Sequence, residues 1–197
     1  MVIFLKNIFA GGEMINKEKI EKAIKLLLEG IGEDATRPGL IETPERVARM
    51  YEEILSGYDD SAERHLEKTF PVTESEMILE KDIQFYSLCE HHLLPFFGKA
   101  HIAYIPVDEV VGISKLARTV EVFARRLQIQ ERMTGQIADA IAKNLKTKGV
   151  MVLVEAEHMC VSMRGIKKGG SKTVTIATRG CFENDQNLRE TFFKLIS

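Results

Sequence analysis

Apolar residues near the start of the chain recur every three or four positions, which is the spacing of one face of a helix. They predict a first helix within 15–34, with Asn16 as its N-cap, and a second helix within 43–57. In the second helix, Thr43 is expected to be the N-cap and Pro44 the first helical residue. Two amphipathic helices therefore begin the chain.

From about Met77 the pattern changes to the β-branched and aromatic runs that are typical of strands. Helical spacing returns twice in the middle of the chain and once at its end. The predicted elements are, in order, strands at 82–88 and 98–106, helices at 112–128 and 131–149, strands at 149–163 and 171–182, and a helix at 187–196. The His-rich stretch between the first two strands is expected to be a functional loop.

The order β-β-α-α-β-β indicates an α+β fold, in which a mainly antiparallel sheet carries helices on one face and is preceded by the N-terminal helices. Such a sheet leaves two open edges, which favours assembly into a barrel between subunits. The chain is accordingly divided into a short extension at 1–13, a helical region at 14–75 and a sheet region at 76–197. The last two are expected to form one structural unit.

Length and charge narrow the class of protein. A chain of 197 residues with a formal net charge of −2 is one domain-sized unit with no overall attraction to polyanions, so neither nucleic acid nor membrane is an expected partner. The first apolar run is shorter than the core of a signal peptide, and no stretch approaches the ~20 apolar residues of a membrane span. These observations predict a cytoplasmic protein.

Cysteine and histidine occur in two close pairs. Cys89 and His92 are three residues apart in a turn-like loop, a spacing that allows both side chains to bind one ion. His158 and Cys160 are two residues apart on a predicted strand, which would place both on the same face. With Cys181 the cysteines number three, and an odd count in a chain for which no export is expected does not predict a disulfide framework.

Thiolate and imidazole ligands favour zinc. If Cys89, His92 and Cys160 bind it, a fourth position stays open, as in catalytic zinc sites. A closed structural site needs a fourth ligand, for which Cys181 is the candidate, but its flanking sequence TRGCF offers no paired ligand and favours packing. The Gly-rich run at 167–172, KKGGSK, is more typical of a hairpin turn than of a phosphate-binding loop.

Four motifs carry a family resemblance. They are, in order, SLCEHHLLPFFGKAHIAYIP, GISKLAR, RLQIQERMT and EHMCVSMRGIKKGGSKTVT. Together they closely resemble GTP cyclohydrolase I, and the likeness runs from about residue 16 to the end. It implies a tunnelling-fold enzyme, usually a toroidal homodecamer, that converts GTP and water to 7,8-dihydroneopterin triphosphate and formate, the first step toward folates and biopterins.

The resemblance also implies roles at the metal site. By position, Cys89, His92 and Cys160 correspond to zinc ligands, and His91 and His158 to proton-transfer residues. The implied chemistry is attack of zinc-activated water on C8 of the purine, with protonation of N7 by His91. His158 is then expected to serve a second transfer, and its plain alternative is a core histidine bonded to a backbone carbonyl.

Substrate-binding residues follow from the same resemblance. They are Ser114, Lys115, Arg118 and Arg164 for the triphosphate, with Arg46 from a neighbouring subunit, and Gln130 and Glu131 for the purine edge. A helix N-terminus favours an anion, and an ionised carboxylate matches the N1–H and N2–H₂ donors of guanine. Taken singly, each basic residue is equally explained by a solvated surface, and Glu131 by the dipole of its helix.

The chain departs from the family pattern at Arg179, where relatives usually carry an apolar residue, and at Cys181 after it. Two other interpretations stay open. One is a tunnelling-fold relative with other chemistry, such as the pyruvoyl-tetrahydropterin synthases or the nitrile reductases, against which the mixed Cys and His set argues. The other is a non-catalytic nucleotide-binding module with a closed zinc site. Allosteric control is also left open.

Overall fold

The structure is a computed structural model that describes residues 15–73 and 76–197. The chain forms two compact units, Met1–Asp59 and Asp60–Ser197. The extension expected at 1–13 lies outside the described residues. The boundary that the sequence suggests near residue 75 stays a prediction.

The first unit contains helix α1, Lys17–Gly30, and helix α2, Thr43–Ile54, which is followed by a 3₁₀ turn. The predicted cap of α1 is confirmed, because the Asn16 side chain accepts a hydrogen bond from the Lys19 N–H at 2.9 Å. The predicted cap of α2 is wrong. Glu42 already has helical backbone angles of φ −96° and ψ −4°, so Thr43 falls inside the helix and cannot cap it.

The second unit has the predicted α+β character, with several short elements that the pattern did not predict. Its elements are α3 Ala62–Leu66, β1 Thr69–Pro71, β2 Ile78–Cys89, β3 Pro95–Pro106, β4 Glu109–Val111, α4 Ile113–Ala124, β5 Leu127–Gln128, α5 Gln130–Asn144, β6 Thr147–His158, α6 Met159–Ser162, β7 Lys172–Gly180, α7 Cys181–Asn184 and α8 Gln186–Ile196. The short elements escape prediction because two to five residues are too few to show a period.

Five strands form the main sheet in the order β5-β2-β3-β6-β7. The pairs β2–β3, β3–β6 and β6–β7 are antiparallel, and β5 adds a short parallel pairing to the end of β2. Within the described ranges, no strand pairs with the outer side of β7. This mainly antiparallel sheet is consistent with the tunnelling fold.

The core lies between the sheet and two long helices. Buried side chains of β2, β3 and β6, among them Phe85, Phe96 and Ile102, form one cluster with Val120 of α4 and Ile137 of α5. The two long helices therefore lie on one face of the sheet, as predicted. Strand residues on the opposite face of the sheet form a second cluster with Phe182 of α7 and Phe192 of α8. These two helices therefore cover part of that face, which the sequence pattern did not predict.

The departure at Arg179 fits this packing. Its guanidinium Nε lies 2.7 Å from the Asp139 carboxylate of α5, so β7 is tied to the helix by an ion pair. Cys181 packs against the second cluster, as predicted for this thiol.

The two ends of the sheet hold different residues. At the first, here called the Cys89 end, Cys89 pairs with Gln128, β6 ends at His158 opposite Phe96, and α5 begins at Gln130. At the other, here called the Tyr104 end, Tyr104 pairs with Ile78, and its hydroxyl accepts a hydrogen bond from the Val111 N–H at 3.3 Å.

Helix α4 begins at the Tyr104 end, two residues after Val111, and runs back to Ala124, next to β5. Its N-terminus and its C-terminus therefore lie at opposite ends of the sheet. Among the helices within 15–73 and 76–197, none has the length and hydropathy needed to span a membrane.

Candidate metal centre

The loop after β2 is held closed by its own backbone. The Cys89 N–H donates to the Leu94 carbonyl at 2.9 Å, and the Cys89 carbonyl accepts from the N–H groups of Leu93 at 2.8 Å and His92 at 3.3 Å. Leu93 has a positive φ of 54°, which is unfavourable for a residue with a branched side chain. A strained residue in a tight loop indicates that the loop geometry itself is needed.

Cys160 reaches this loop from a helical turn. Strand β6 ends at His158, and Met159 begins the four-residue helix α6. The prediction that His158 and Cys160 share one face of a strand is therefore wrong, because the backbone changes from extended to helical between them. The turn nevertheless brings Cys160 to the loop: one ligand atom each from Cys89, His92 and Cys160 all lie within 4.8 Å of one another.

This group fits zinc. Zn–S bonds of about 2.3 Å and Zn–N bonds of about 2.0 Å in a tetrahedron place the ligand atoms roughly 3.5–3.8 Å apart, so a small inward movement would complete the site. Burial, and then the neighbouring Cys89 thiol, raise the pKa of Cys160. A bound cation reverses that preference, because it stabilises the thiolate form. The group contains three ligands, and Cys181 is not among them.

His158 is held in one orientation beside this centre. Its ring stacks on Phe96, with centroids 4.6 Å apart and an interplanar angle of 1°. Its Nε2 lies 2.7 Å from Oε1 of Gln130. Burial lowers the pKa of His158, and the Glu131 carboxylate acts in the opposite direction. The backbone carbonyl partner expected of a plain core histidine is thus replaced by a side-chain amide.

His91 is exposed and precedes the His92 ligand in the loop. The two rings meet edge to face, with centroids 6.3 Å apart. The Glu90 carboxylate lies 3.9 Å from Nε2 of His91 and also pairs with the guanidinium of Arg132, which lowers the pKa of Glu90. The Glu90 N–H donates to the Gln128 carbonyl at 3.0 Å, so the backbone joins this loop to β5 and the Glu90 side chain joins it to α5.

Glu90 and Arg132 were not expected from the sequence. Their ion pair joins residues 42 positions apart, and neither residue type signals such a pair by itself. The sequence signal that could have pointed to Glu90 is its position between Cys89 and His91.

The comparison with known sequences identifies the family. The sequence model of GTP cyclohydrolase I matches residues 20–197. The chain belongs to the GTP cyclohydrolase I family. Since this is a family of hydrolases, the chain is an enzyme of that class.

Relatives named GTP cyclohydrolase 1 are similar along most of their length. That of Clostridium kluyveri is 60% identical over 182 residues, covering 92% of this chain and 98% of the relative. That of Clostridium perfringens is 59% identical over 184 residues, with 93% and 100% covered. That of Streptococcus pneumoniae is 54% identical over 182 residues, with 92% and 99% covered. Among solved structures, the archaeosine synthase QueF-Like in the apo form is similar with a TM-score of 0.45 at 16% identity, covering 55% of this chain and 97% of that one.

The residues expected to bind substrate in a GTP cyclohydrolase I fall into two groups. Glu131, in the first turn of α5, and Arg164, four residues beyond Cys160, are exposed near the metal group at the Cys89 end. Gln130 is buried and bonded to His158.

The second group lies elsewhere in this chain. Ser114, Lys115 and Arg118 occupy the first turns of α4 at the Tyr104 end. At 1.5 Å per residue, Ser114 is about 15 Å along the helix axis from Ala124. One chain therefore does not bring these three residues to its own metal group. Arg46 lies in α2 of the first unit and pairs there with Glu42.

Proposed function

We propose that this chain uses zinc to hydrolyse GTP and rearrange it to 7,8-dihydroneopterin triphosphate and formate, the first step toward folates and pterins. The observation that carries the proposal is the gathering of Cys89, His92 and Cys160 around one point, with His158 held beside them. Membership of the family, with relatives 54–60% identical and named GTP cyclohydrolase 1, supports the choice of substrate. A cytoplasmic location is part of the same proposal.

Cys89, His92 and Cys160 would hold the metal through two thiolates and one imidazole. A bound zinc ion supplies Lewis-acid chemistry for hydrolysis near neutral pH. Three protein ligands leave one coordination position for a reactant, which favours a catalytic site over a closed structural one. Cys181, the only cysteine left, packs against the second cluster instead.

Two histidines at the site that are not ligands, His91 and His158, would move protons. His91 is exposed, so it can reach a bound purine and protonate N7 as the imidazole ring opens. His158 is partly buried and held by two neighbours, which suits a transfer that needs a fixed direction, in formate release or in the later rearrangement of the sugar.

Substrate contacts would come from two copies of the chain. Glu131 accepts hydrogen bonds from N1–H and N2–H₂ of guanine, and Arg164 binds the triphosphate beside the metal group. Ser114, Lys115 and Arg118 lie at the opposite end of their own sheet, so we assign them to the triphosphate of a neighbouring copy, together with Arg46.

An oligomer follows from this assignment. The outer side of β7, with which no strand of the described residues pairs, offers an edge for pairing between copies. The family resemblance suggests a homodecamer in which such edges close a barrel. Placing the active sites between subunits would explain why a single chain separates the two groups of substrate-binding residues.

The test combines product and metal analysis. Purified protein is incubated with GTP, and formate, the fluorescence of oxidised neopterin and the zinc content are measured. Cys160→Ser should lose zinc and activity, whereas Cys181→Ser, the matched control, should keep both. His91→Ala should keep zinc and lose roughly 10²–10⁴-fold in rate, the range for a general acid or base. Loss of zinc from the Cys181 variant, or absence of formate with the zinc-loaded wild type, would overturn the proposal.

A further inference from the structure

Gln130 is the first residue of α5, yet it is only 1% exposed. Its amide nitrogen lies 3.0 Å from the carbonyl oxygens of Val154 in β6 and Thr173 in β7, and 3.1 Å from the Thr175 hydroxyl. A backbone carbonyl can only accept a hydrogen bond, so the NH₂ group of the amide must face these atoms. The orientation of the Gln130 amide is therefore determined by the two strands.

That orientation determines which nitrogen of His158 carries a hydrogen. With its NH₂ group committed to the strands, Gln130 presents its carbonyl oxygen to Nε2 of His158 at 2.7 Å. This oxygen can only accept, so Nε2 must donate and must carry a proton. The same bond is compatible with the neutral ring and with the cation, because both have Nε2–H. In the neutral ring, Nδ1 is then the nitrogen without a hydrogen.

A second contact fixes the plane of the ring. Phe96, which is fully buried, stacks on His158 in parallel. The stacking limits rotation about the side-chain bonds, and the Gln130 bond selects one of the two ring flips that stacking allows. Together, the stacking contact and the hydrogen bond determine the plane of the ring and which of its nitrogens faces Gln130.

We propose that Gln130 is a positioning residue for His158: its amide oxygen accepts a hydrogen bond from Nε2 and holds the ring in one flip, with Nδ1 on the side away from Gln130. The proposal rests on the function proposed above. It refines the expectation that Gln130 contacts the purine edge, because both ends of its amide are engaged within this chain. Glu131, which is exposed, remains the residue that recognises guanine.

A double-mutant cycle separates a positioning role from substrate binding. Gln130→Met keeps the length of the side chain but removes the amide. If it acts through His158, it should lower kcat by about 10–100-fold, less than His158→Ala, and leave KM for GTP within about threefold. In the His158→Ala background, Gln130→Met should have almost no further effect on kcat, since two residues that act through one another are not additive.

Gln128→Met is the matched control. Gln128 is another buried glutamine, 2% exposed. Its amide nitrogen donates to Gln136 and to the Phe123 carbonyl, and its amide oxygen accepts from Arg132, with no bond to His158. Any fold-reduction in kcat caused by Gln128→Met should therefore multiply with the fold-reduction caused by His158→Ala. The proposal is overturned if the effects of Gln130→Met and His158→Ala multiply in the same way, or if Gln130→Met acts mainly by raising KM for GTP.

An NMR measurement that does not depend on GTP turnover tests the role of Gln130 separately from the proposed function. In protein labelled with ¹⁵N-histidine, the His158 signals, assigned by their absence from His158→Ala, should show a protonated Nε2 and a bare Nδ1. Gln130→Met should shift both signals toward a mixture of tautomers, and Gln128→Met should not. A wild-type spectrum with Nδ1–H and a bare Nε2 would refute the positioning role even if GTP is turned over, and this measurement does not require Gln130→Met to fold.

Discussion

Two inactive variants of this protein should restore each other's activity when their subunits mix. Cys89→Ser destroys the metal group at the Cys89 end, and Lys115→Ala removes a proposed phosphate contact at the Tyr104 end. Helix α4 separates these ends within one chain, since its 12 residues span about 18 Å and its C-terminus is the part that adjoins β5. Suppose that each active site combines the Cys89 end of one chain with the Tyr104 end of another. A site that takes its Cys89 end from a Lys115→Ala chain and its Tyr104 end from a Cys89→Ser chain then contains neither substitution.

The size of the recovery follows from counting sites. In a random equal mixture, a complete site needs a Lys115→Ala chain at its Cys89 end and a Cys89→Ser chain at its Tyr104 end. Each condition is met in half of the cases, so about one quarter of the sites are intact. The mixture should therefore show about a quarter of the wild-type specific activity, although each parent shows almost none.

The assay uses two affinity tags. The variants are expressed together, mixed oligomers are isolated by successive purification on both tags, and the fluorescence of oxidised neopterin is measured per chain. Lys115→Ala mixed with Arg118→Ala is the control, because both lesions lie at the Tyr104 end and every site keeps one of them. Mixed oligomers of the first pair that stay as inactive as their parents would refute the shared site, as would an active monomer.

Two further variants test substrate choice and pH dependence. Glu131→Gln should keep fold and zinc but lose most of its kcat/KM for GTP, and the wild type should discriminate against ATP by about 10⁴–10⁵; near-normal turnover of GTP would assign Glu131 to the helix dipole. His101→Asn should weaken the pH dependence of the melting temperature between pH 7.5 and 5.5. Burial lowers the pKa of His101, and its Nδ1 accepts the Asp82 N–H at 3.3 Å, so stability is complete above about pH 6.5, the unfolded value, and falls as the pH drops toward the folded pKa. Asparagine keeps an acceptor but does not titrate, and an unchanged pH dependence would contradict this role. The charged groups that act on His101 are those of Lys81, Asp82, Lys99 and Glu155.

Local features of the chain were predictable from the sequence. The three- and four-residue spacing in α1, α2, α4 and α5 and the Asn16 cap depend only on residues within one or two turns. The same holds for Cys89 and His92, because two residues three positions apart in a tight turn have little choice in where their side chains lie. Cys160 was correctly expected near them, although the strand geometry given for it was wrong.

Contacts between distant parts of the chain were not predictable. The bond between Gln130 and His158 joins residues 28 positions apart, and the pair of Glu90 and Arg132 joins residues 42 positions apart. Which partner each side chain meets depends on the register of β3 with β6 and on how α5 packs against the sheet. Neither leaves a periodic signal, since register is set by many weak contacts acting together.

The sequence by itself therefore determined the family, the order of the main elements and the residues with suitable chemistry for zinc, because each of these depends on residue types and short spacings. Only the tertiary structure decided that Ser114, Lys115 and Arg118 lie at the opposite end of the sheet from the metal group of their own chain. The direction of α4 is set by the packing of its apolar face against the sheet and by the pairing of β5 with the end of β2. Those are long-range interactions, so they exist only once the chain has folded.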